Sequence, residues 1–162
     1  HGRGRYRRVV PGAPVRYQRP GWITTHVLNR TVGGLTRLGI SVRGTRVLEA
    51  RGRKSGLPRR TPVNLLDLDG HQYLVSPRGE TEWVRNVRAD GGRLALILGS
   101  RRDERVATEV TGAARVPILR AYLRRWKSEV GMFFEGVGPD SSDAELAAIA
   151  DRHPVWELSP PR

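Results

Sequence analysis

Asp69-Gly70 constrains this chain more than any other feature, because it separates two runs, Arg59–Leu68 and His71–Val75, whose apolar residues follow a period of two. An Asp-Gly pair supplies the left-handed residues that a type I′ turn needs, so the two runs are predicted to form an antiparallel hairpin. Further strands follow from the same pattern. Val47–Ala50 reads as a short strand leading into a turn at Gly52–Gly56, and Val155–Leu158 as a closing strand. Arg93–Leu98 and Arg105–Thr111 read as a second hairpin around Gly99–Asp103. Strands joined mainly by hairpins pair antiparallel, and about six of them hide their edges best by closing on themselves. The expected fold is therefore mainly β, a small barrel with helices packed outside.

Three helices are predicted to lie between or beside these strands. Thr81 stands where a cap is needed for Glu82–Ala89, which Gly91-Gly92 terminates. Pro117 suits the first turn of a helix running to about Val130. Ser142 and Glu145 have capping-box spacing ahead of Ala144–Arg152. Earlier in the chain, Ile23, Val27, Leu28, Val32, Leu35 and Leu38 recur at three- and four-residue steps and predict a helix from Trp22, weakened near its end by Gly33-Gly34. Residues 1–21 lack such periodicity and read as a basic extended arm, which leaves 22–162 as a single domain.

At 162 residues, 38 % hydrophobic and 28 % charged, the chain suits one globular domain that needs no covalent staple. It has no cysteine, which excludes a disulfide framework, a thiol nucleophile and any sulfur-ligated metal. His1, His26, His71 and His153 are scattered, so no dedicated metal site is expected. No strictly apolar run is longer than Leu94–Leu98, which falls far short of the ~20 residues of a membrane span, and no signal-peptide pattern is present. A cytoplasmic location is the default expectation. Charge is more informative, at a formal +13. Six arginines and no acid fall within residues 1–20, and Arg43, Arg46, Arg51, Arg53, Lys54, Arg59 and Arg60 face Glu49 alone within 41–60. A basic cluster inside a folded region implies an anionic partner: a phosphate-bearing cofactor, an anionic membrane surface or nucleic acid.

Several familiar sites are ruled out. Arg53-Lys54-Ser55 lacks the glycine before the lysine that a nucleotide-binding P-loop requires, and its strand-to-helix context is missing. No G-x-G-x-x-G follows a strand and no G-x-S-x-G occurs, which removes the dinucleotide-binding and serine-hydrolase readings. What remains is Gly52–Pro62. Two glycines let backbone amides converge, Ser55 adds a hydroxyl, and Arg53, Lys54 and Arg59 add charge-assisted donors around one anion. Pro62 in a strand-like run marks an edge or a bulge. A solvated, charged hairpin tip is the plain structural alternative.

Gly52–Pro62 resembles the G-R-K-S/T-G-x-P-R-x-x-P signature of the deazaflavin-dependent, nitroreductase-like oxidoreductases that use coenzyme F420. Arg78–Arg88, with Trp83 and Asn86, resembles the same family's second motif, and the similarity runs roughly over Val42–Leu158. The resemblance implies a split β-barrel, a bound F420 and hydride transfer to a small electron-poor acceptor such as a quinone, an enone or a nitro compound. It implies phosphate and acidic-tail contacts at Arg53, Lys54, Ser55 and Arg59. It implies a ring-lining strand at Arg60, Thr61, Pro62, Val63 and Asn64, a second lining segment at Val75, Ser76, Pro77 and Arg78, and a closing helix with Trp83, Arg85 and Asn86. Some family members carry tyrosines near the substrate; here the corresponding region offers Tyr122, Trp126 and Phe133. No catalytic base is visible, and none is required if the acceptor takes its proton from water.

Each residue also has a structural reading. Trp83 with Val87 at i,i+4 is a core pair. Tyr122, Trp126 and Phe133 would serve simply to pack a helix on the barrel. Asn86 lies near Trp83 on the same helix, and a buried amide there needs partners, which favours a ligand role for it over a structural one. Two rivals to F420 remain open at this stage. One keeps the barrel and places flavin mononucleotide in it. The other is a non-enzymatic module that binds nucleic acid or anionic lipid through the arm, thinly supported because Tyr6 and Tyr17 are the arm's only aromatics.

Overall fold

A computed structural model describes residues 44–161. The expected arm over 1–21 and the expected helix from Trp22 lie outside the described residues. Six strands, β1 (Thr45–Arg51), β2 (Pro58–Leu68), β3 (His71–Val75), β4 (Arg93–Leu98), β5 (Arg101–Val110) and β6 (Val155–Ser159), close into a barrel in the order β1-β2-β3-β6-β5-β4. Every pairing is antiparallel. Among the described residues three α-helices accompany them: α1 (Glu82–Ala89), α2 (Arg115–Val130) and α3 (Asp143–Ile149).

The hairpin that anchors this fold forms where Asp69-Gly70 places it. Asp69 (φ 52°) and Gly70 (φ 81°) both adopt the left-handed conformation of a type I′ turn, and Leu68 faces His71 across it. Eleven-residue β2 serves two neighbours in succession. Its first half, Pro58–Asn64, pairs with β1, and its second half, Leu65–Leu68, pairs with β3. Pro62 thus sits where β2 has one strand partner, the edge-like setting that its missing N–H favours.

Leu48, Ala50, Val63, Leu65, Leu74, Leu94, Leu96, Ala107, Trp156 and Leu158 fill the barrel core. Helix α1 joins this core through Val84 and Val87, each fully buried, with Trp83 packed against it. Burying each valine is worth roughly 1.5–3 kcal/mol, so α1 is firmly attached. Helix α2 buries Tyr122, Leu123 and Trp126 completely, and the Trp126 indole donates to the Leu65 carbonyl at 3.2 Å.

Several boundaries differ from the sequence expectation. The β4–β5 turn is tighter than expected, and β5 starts at Arg101 rather than Arg105, with Leu98 opposite Arg101. Its first residues, Arg101 to Glu104, are all charged, which hides the strand from any hydrophobic pattern, while β4 supplies the backbone partners. Strand β1 begins at Thr45, two residues earlier than Val47. Thr81 occupies the N-cap of α1 but makes no side-chain cap bond; its hydroxyl lies 3.5 Å from that of Ser76. The capping box forms in full: Glu145 N donates to Ser142 Oγ and Ser142 N to Glu145 Oε1. The last helix then tightens into a 3-10 turn at Ala150–Arg152.

Candidate anion-binding turn and its supporting helix

The β1–β2 connection is held by its own backbone. Gly52 N donates to the Leu57 carbonyl and Gly56 N to the Gly52 carbonyl, both at 2.8 Å, while Leu57 N donates to Ser55 Oγ at 3.1 Å. A Cβ at position 52 would stand 2.9 Å from Ser55 Oγ and 3.1 Å from the Leu57 carbonyl, so the turn closes tightly over Gly52. It would also meet Arg59 Cγ at 3.3 Å, which shows the Arg59 stem leaning over the turn. Among the described residues, the amides of Lys54 and Ser55 have no acceptor, and Lys54 and Arg59 form no salt bridge. Lys54, Ser55 and Arg59 are all exposed.

Arg53 behaves differently from its neighbours. Its amide donates to Asn86 Oδ1 at 3.1 Å, and its guanidinium Nη1 donates to the same oxygen at 2.8 Å and to Glu82 Oε1 at 2.9 Å. The hydrogen bond from Arg53 holds the Glu82 carboxyl below the usual carboxylate range. These contacts join the first motif to the second. Asn86, expected to need partners because it is buried, finds them in Arg53. Glu82 was not anticipated, although an acid four residues before Asn86 on one helix face is the signal that could have revealed it.

Strand alternation divides the expected ring-lining run between two faces. Val63 points into the barrel core, whereas Arg60 meets Glu49 at 2.8 Å on the wall. Glu49 also binds Arg102 at 2.6 Å, and Arg102 continues to Glu104 at 2.8 Å, which makes an ionic ladder over β2, β1, β4 and β5. Hydrogen bonds from Arg102 and then Arg60 hold the Glu49 carboxyl below its ordinary value. Thr61 and Pro62 are half-buried along the same strand. Asn64 accepts a long 3.4 Å hydrogen bond from Thr45.

In the second lining segment, Val75 and Ser76 are buried. Ser76 N donates to the Pro154 carbonyl and Ser76 Oγ to the Gly79 carbonyl, at 2.9 and 2.6 Å, so its polar atoms serve the loop itself. Pro77 is half-buried, and exposed Arg78 lies over the Phe133 ring at 5.4 Å. On α1, Trp83 is half-buried and Arg85 is exposed, 3.6 Å from Glu82.

The aromatic group departs from the reading that gave it to the substrate. Tyr122 and Trp126 are 0 % exposed and pack α2 onto the barrel, so neither ring offers a face to a bound molecule. The Tyr122 hydroxyl lies beside Asn64 without forming a hydrogen bond of good geometry, and burial pushes its ionisation well above the usual range. Phe133 alone of the three retains partial exposure.

A separate depression of about 660 Å³ opens between α2, α3 and the β2–β3 turn, lined by Leu68, Val116, Pro117, Arg120, Ala144 and Ala147 among others. None of the expected site residues lines it. Its Arg120 already serves the Pro139 and Ser141 carbonyls and Asp143. No helix among the described residues is long and apolar enough to cross a membrane.

A family model described as F420H(2)-dependent quinone reductase matches residues 22–133. No curated protein sequence matches the chain. Among solved structures, a conserved hypothetical protein from Mycobacterium tuberculosis is 17 % identical, with TM-score 0.51 over 91 % of this chain and 87 % of its own. The haem storage protein HutZ from Vibrio cholerae is 9 % identical, with TM-score 0.50 over 83 % of this chain and 91 % of its own. An F420-H2 dependent reductase, FDR-A, is 19 % identical, with TM-score 0.48 over 75 % of this chain and all of its own. At these identities the likeness concerns the fold.

Proposed function

The chain belongs to the F420H(2)-dependent quinone reductase family of oxidoreductases, and we propose that it transfers a hydride from reduced coenzyme F420 to a small electron-poor acceptor, with a quinone favoured over an enone or a nitro compound. The observation that carries this reading is the β1–β2 turn. The amides of Lys54 and Ser55, which have no acceptor among the described residues, lie in one glycine-bounded turn with the Ser55 hydroxyl and with Lys54 and Arg59, neither of which forms a salt bridge there. That donor set fits a phosphate, and the exposed cations suit an acidic tail.

When bound, the reduced deazaflavin supplies the hydride, so the protein needs to contribute binding, orientation and electrostatics. Lys54, Ser55 and Arg59 would hold the phosphate-bearing part. Thr61 and Pro62 of β2 and Pro77 of the second segment, all half-buried, would flank the rings. Glu82 is held ionised by Arg53 and has no proton to give, which fits an acceptor protonated from water. Orientation of the acceptor then carries the rate effect.

Titrating the protein with F420 and, separately, with flavin mononucleotide tests the cofactor assignment; saturable binding of F420 and weaker flavin binding are expected. Oxidation of reduced F420 by menadione tests the reaction. Equal turnover with NADPH in the absence of F420 would overturn the assignment.

A further inference from the structure

Arg53, Lys54 and Arg59 look alike as donors in the sequence, but the structure gives Arg53 a different task. Its amide and its guanidinium converge on one buried oxygen, Asn86 Oδ1, and the guanidinium also meets Glu82. Asn86 is 4 % exposed, and the Arg53 side chain only 21 %. We propose that Asn86 and Glu82 are positioning residues that clamp Arg53 and thereby preset the turn for its anionic ligand, a role that rests on the function proposed above.

The clamp has a rigid base. Helix α1 is anchored by Val84 and Val87 in the barrel core and by Arg88, which pairs with Glu109 on β5 at 3.0 Å. Glu82 and Asn86 are four residues apart and share one face of that helix. Fixing the amide of residue 53 to this face selects one conformation of an otherwise exposed, glycine-bounded turn. The next two amides, of Lys54 and Ser55, are left without acceptors in that conformation. Ordering a turn in advance lowers the entropy lost on binding, so affinity rises without any contact between Asn86 and the ligand. Arg53 forms a salt bridge with Glu82, whereas Lys54 and Arg59 form none among the described residues and keep their donors for the ligand.

The proposal separates three roles for Asn86 by experiment. Asn86→Leu is compared with the unaltered protein for F420 affinity over a range of salt, for amide hydrogen exchange in the ligand-free state, and for thermal unfolding. A positioning role predicts loss of protection at the Arg53 amide and about tenfold weaker F420 binding. It also predicts an unchanged slope of affinity against salt, because Asn86 carries no charge; Lys54→Gln should flatten that slope. Unaltered affinity with a lowered unfolding temperature would overturn the proposal in favour of a purely structural role. Weakened affinity with full Arg53 protection would overturn it in favour of direct contact. If Asn86→Leu does not fold, Glu82→Gln provides the test, since Glu82 is 69 % exposed. It should lower hydrogen-exchange protection at the Arg53 amide in the ligand-free protein, and unaltered protection there would again overturn the proposal. Failure of the unaltered protein to bind F420 would sink the proposed function; Asn86→Leu with full Arg53 protection would sink the clamp whether or not F420 binds.

Discussion

Arg59 and Arg60 are consecutive on β2, yet Arg59 leans over Gly52 and the open turn, while Arg60 is tied to Glu49 on the barrel wall. The same division runs through the other candidates. Lys54 and Ser55 stand exposed with donors to spare, whereas Tyr122 and Trp126 are buried where α2 packs on the wall and Asn64 accepts from Thr45 on the neighbouring strand. Similar residue types thus serve opposite ends. On the turn, a cation without a carboxylate keeps its charge for a ligand; on the wall, a cation beside a largely buried carboxylate spends it on strand-to-strand cohesion.

The sharpest way to break this comparison is through the wall's aromatic partner. Trp126→Ala should lower unfolding free energy by about 3–5 kcal/mol, as loss of a fully buried large side chain does, with F420 affinity of the folded fraction unchanged. A loss of affinity matching the loss of stability would mean that wall and turn are one site. On the turn, Lys54→Glu should weaken F420 binding about a hundredfold, through a lost charge-assisted bond and added repulsion, and leave thermal unfolding where it was. An unchanged dissociation constant would remove phosphate binding from the turn.

The ladder's effects are smaller. Arg60→Ala should cost no more than about 1 kcal/mol of stability and barely alter F420 affinity, because Glu49 keeps Arg102. A tenfold loss of affinity would move Arg60 from the wall to the site. Acid sharpens the contrast further. The Glu49 carboxyl is held below 4.5 in the folded protein by Arg102 and then Arg60, so its contribution is complete above that pH and is lost as pH falls through the folded value. Glu49→Gln should therefore flatten the decline of stability below about pH 4.5, measured by urea unfolding. An identical decline in the variant would show that the ladder carries none of it.

Local chemistry made much of the fold legible. The Asp69-Gly70 turn, the α1 span up to Ala89 and the Ser142–Glu145 capping box depend on backbone conformations and bonds within a few residues, and the structure bears them out. The start of β5 was not legible, since its charged residues, Arg101 to Glu104, gain their strand character from pairing with β4 rather than from any pattern of their own. For the site, the types and spacing of Gly52–Pro62 left an anion-binding turn and a solvated hairpin tip both open, and it was the resemblance of the motif that pointed to cofactor contacts.

Which of those donors remains free is a question that short-range pattern does not reach. Arg53 meets Asn86 across 33 positions of sequence, and Glu49 meets Arg102 across 53. Those encounters are set by the register between strands and by the seat of α1 on the closed barrel. The sequence by itself therefore determined the barrel class, the hairpin turn and the chemistry of Gly52–Pro62, because turns, caps and periodicity act between near neighbours. Only the tertiary structure decided that Arg53 is a clamp, Arg60 a strut, and Lys54 and Arg59 the free cations, because a charge is cancelled by whichever partner the closed chain brings within bonding distance.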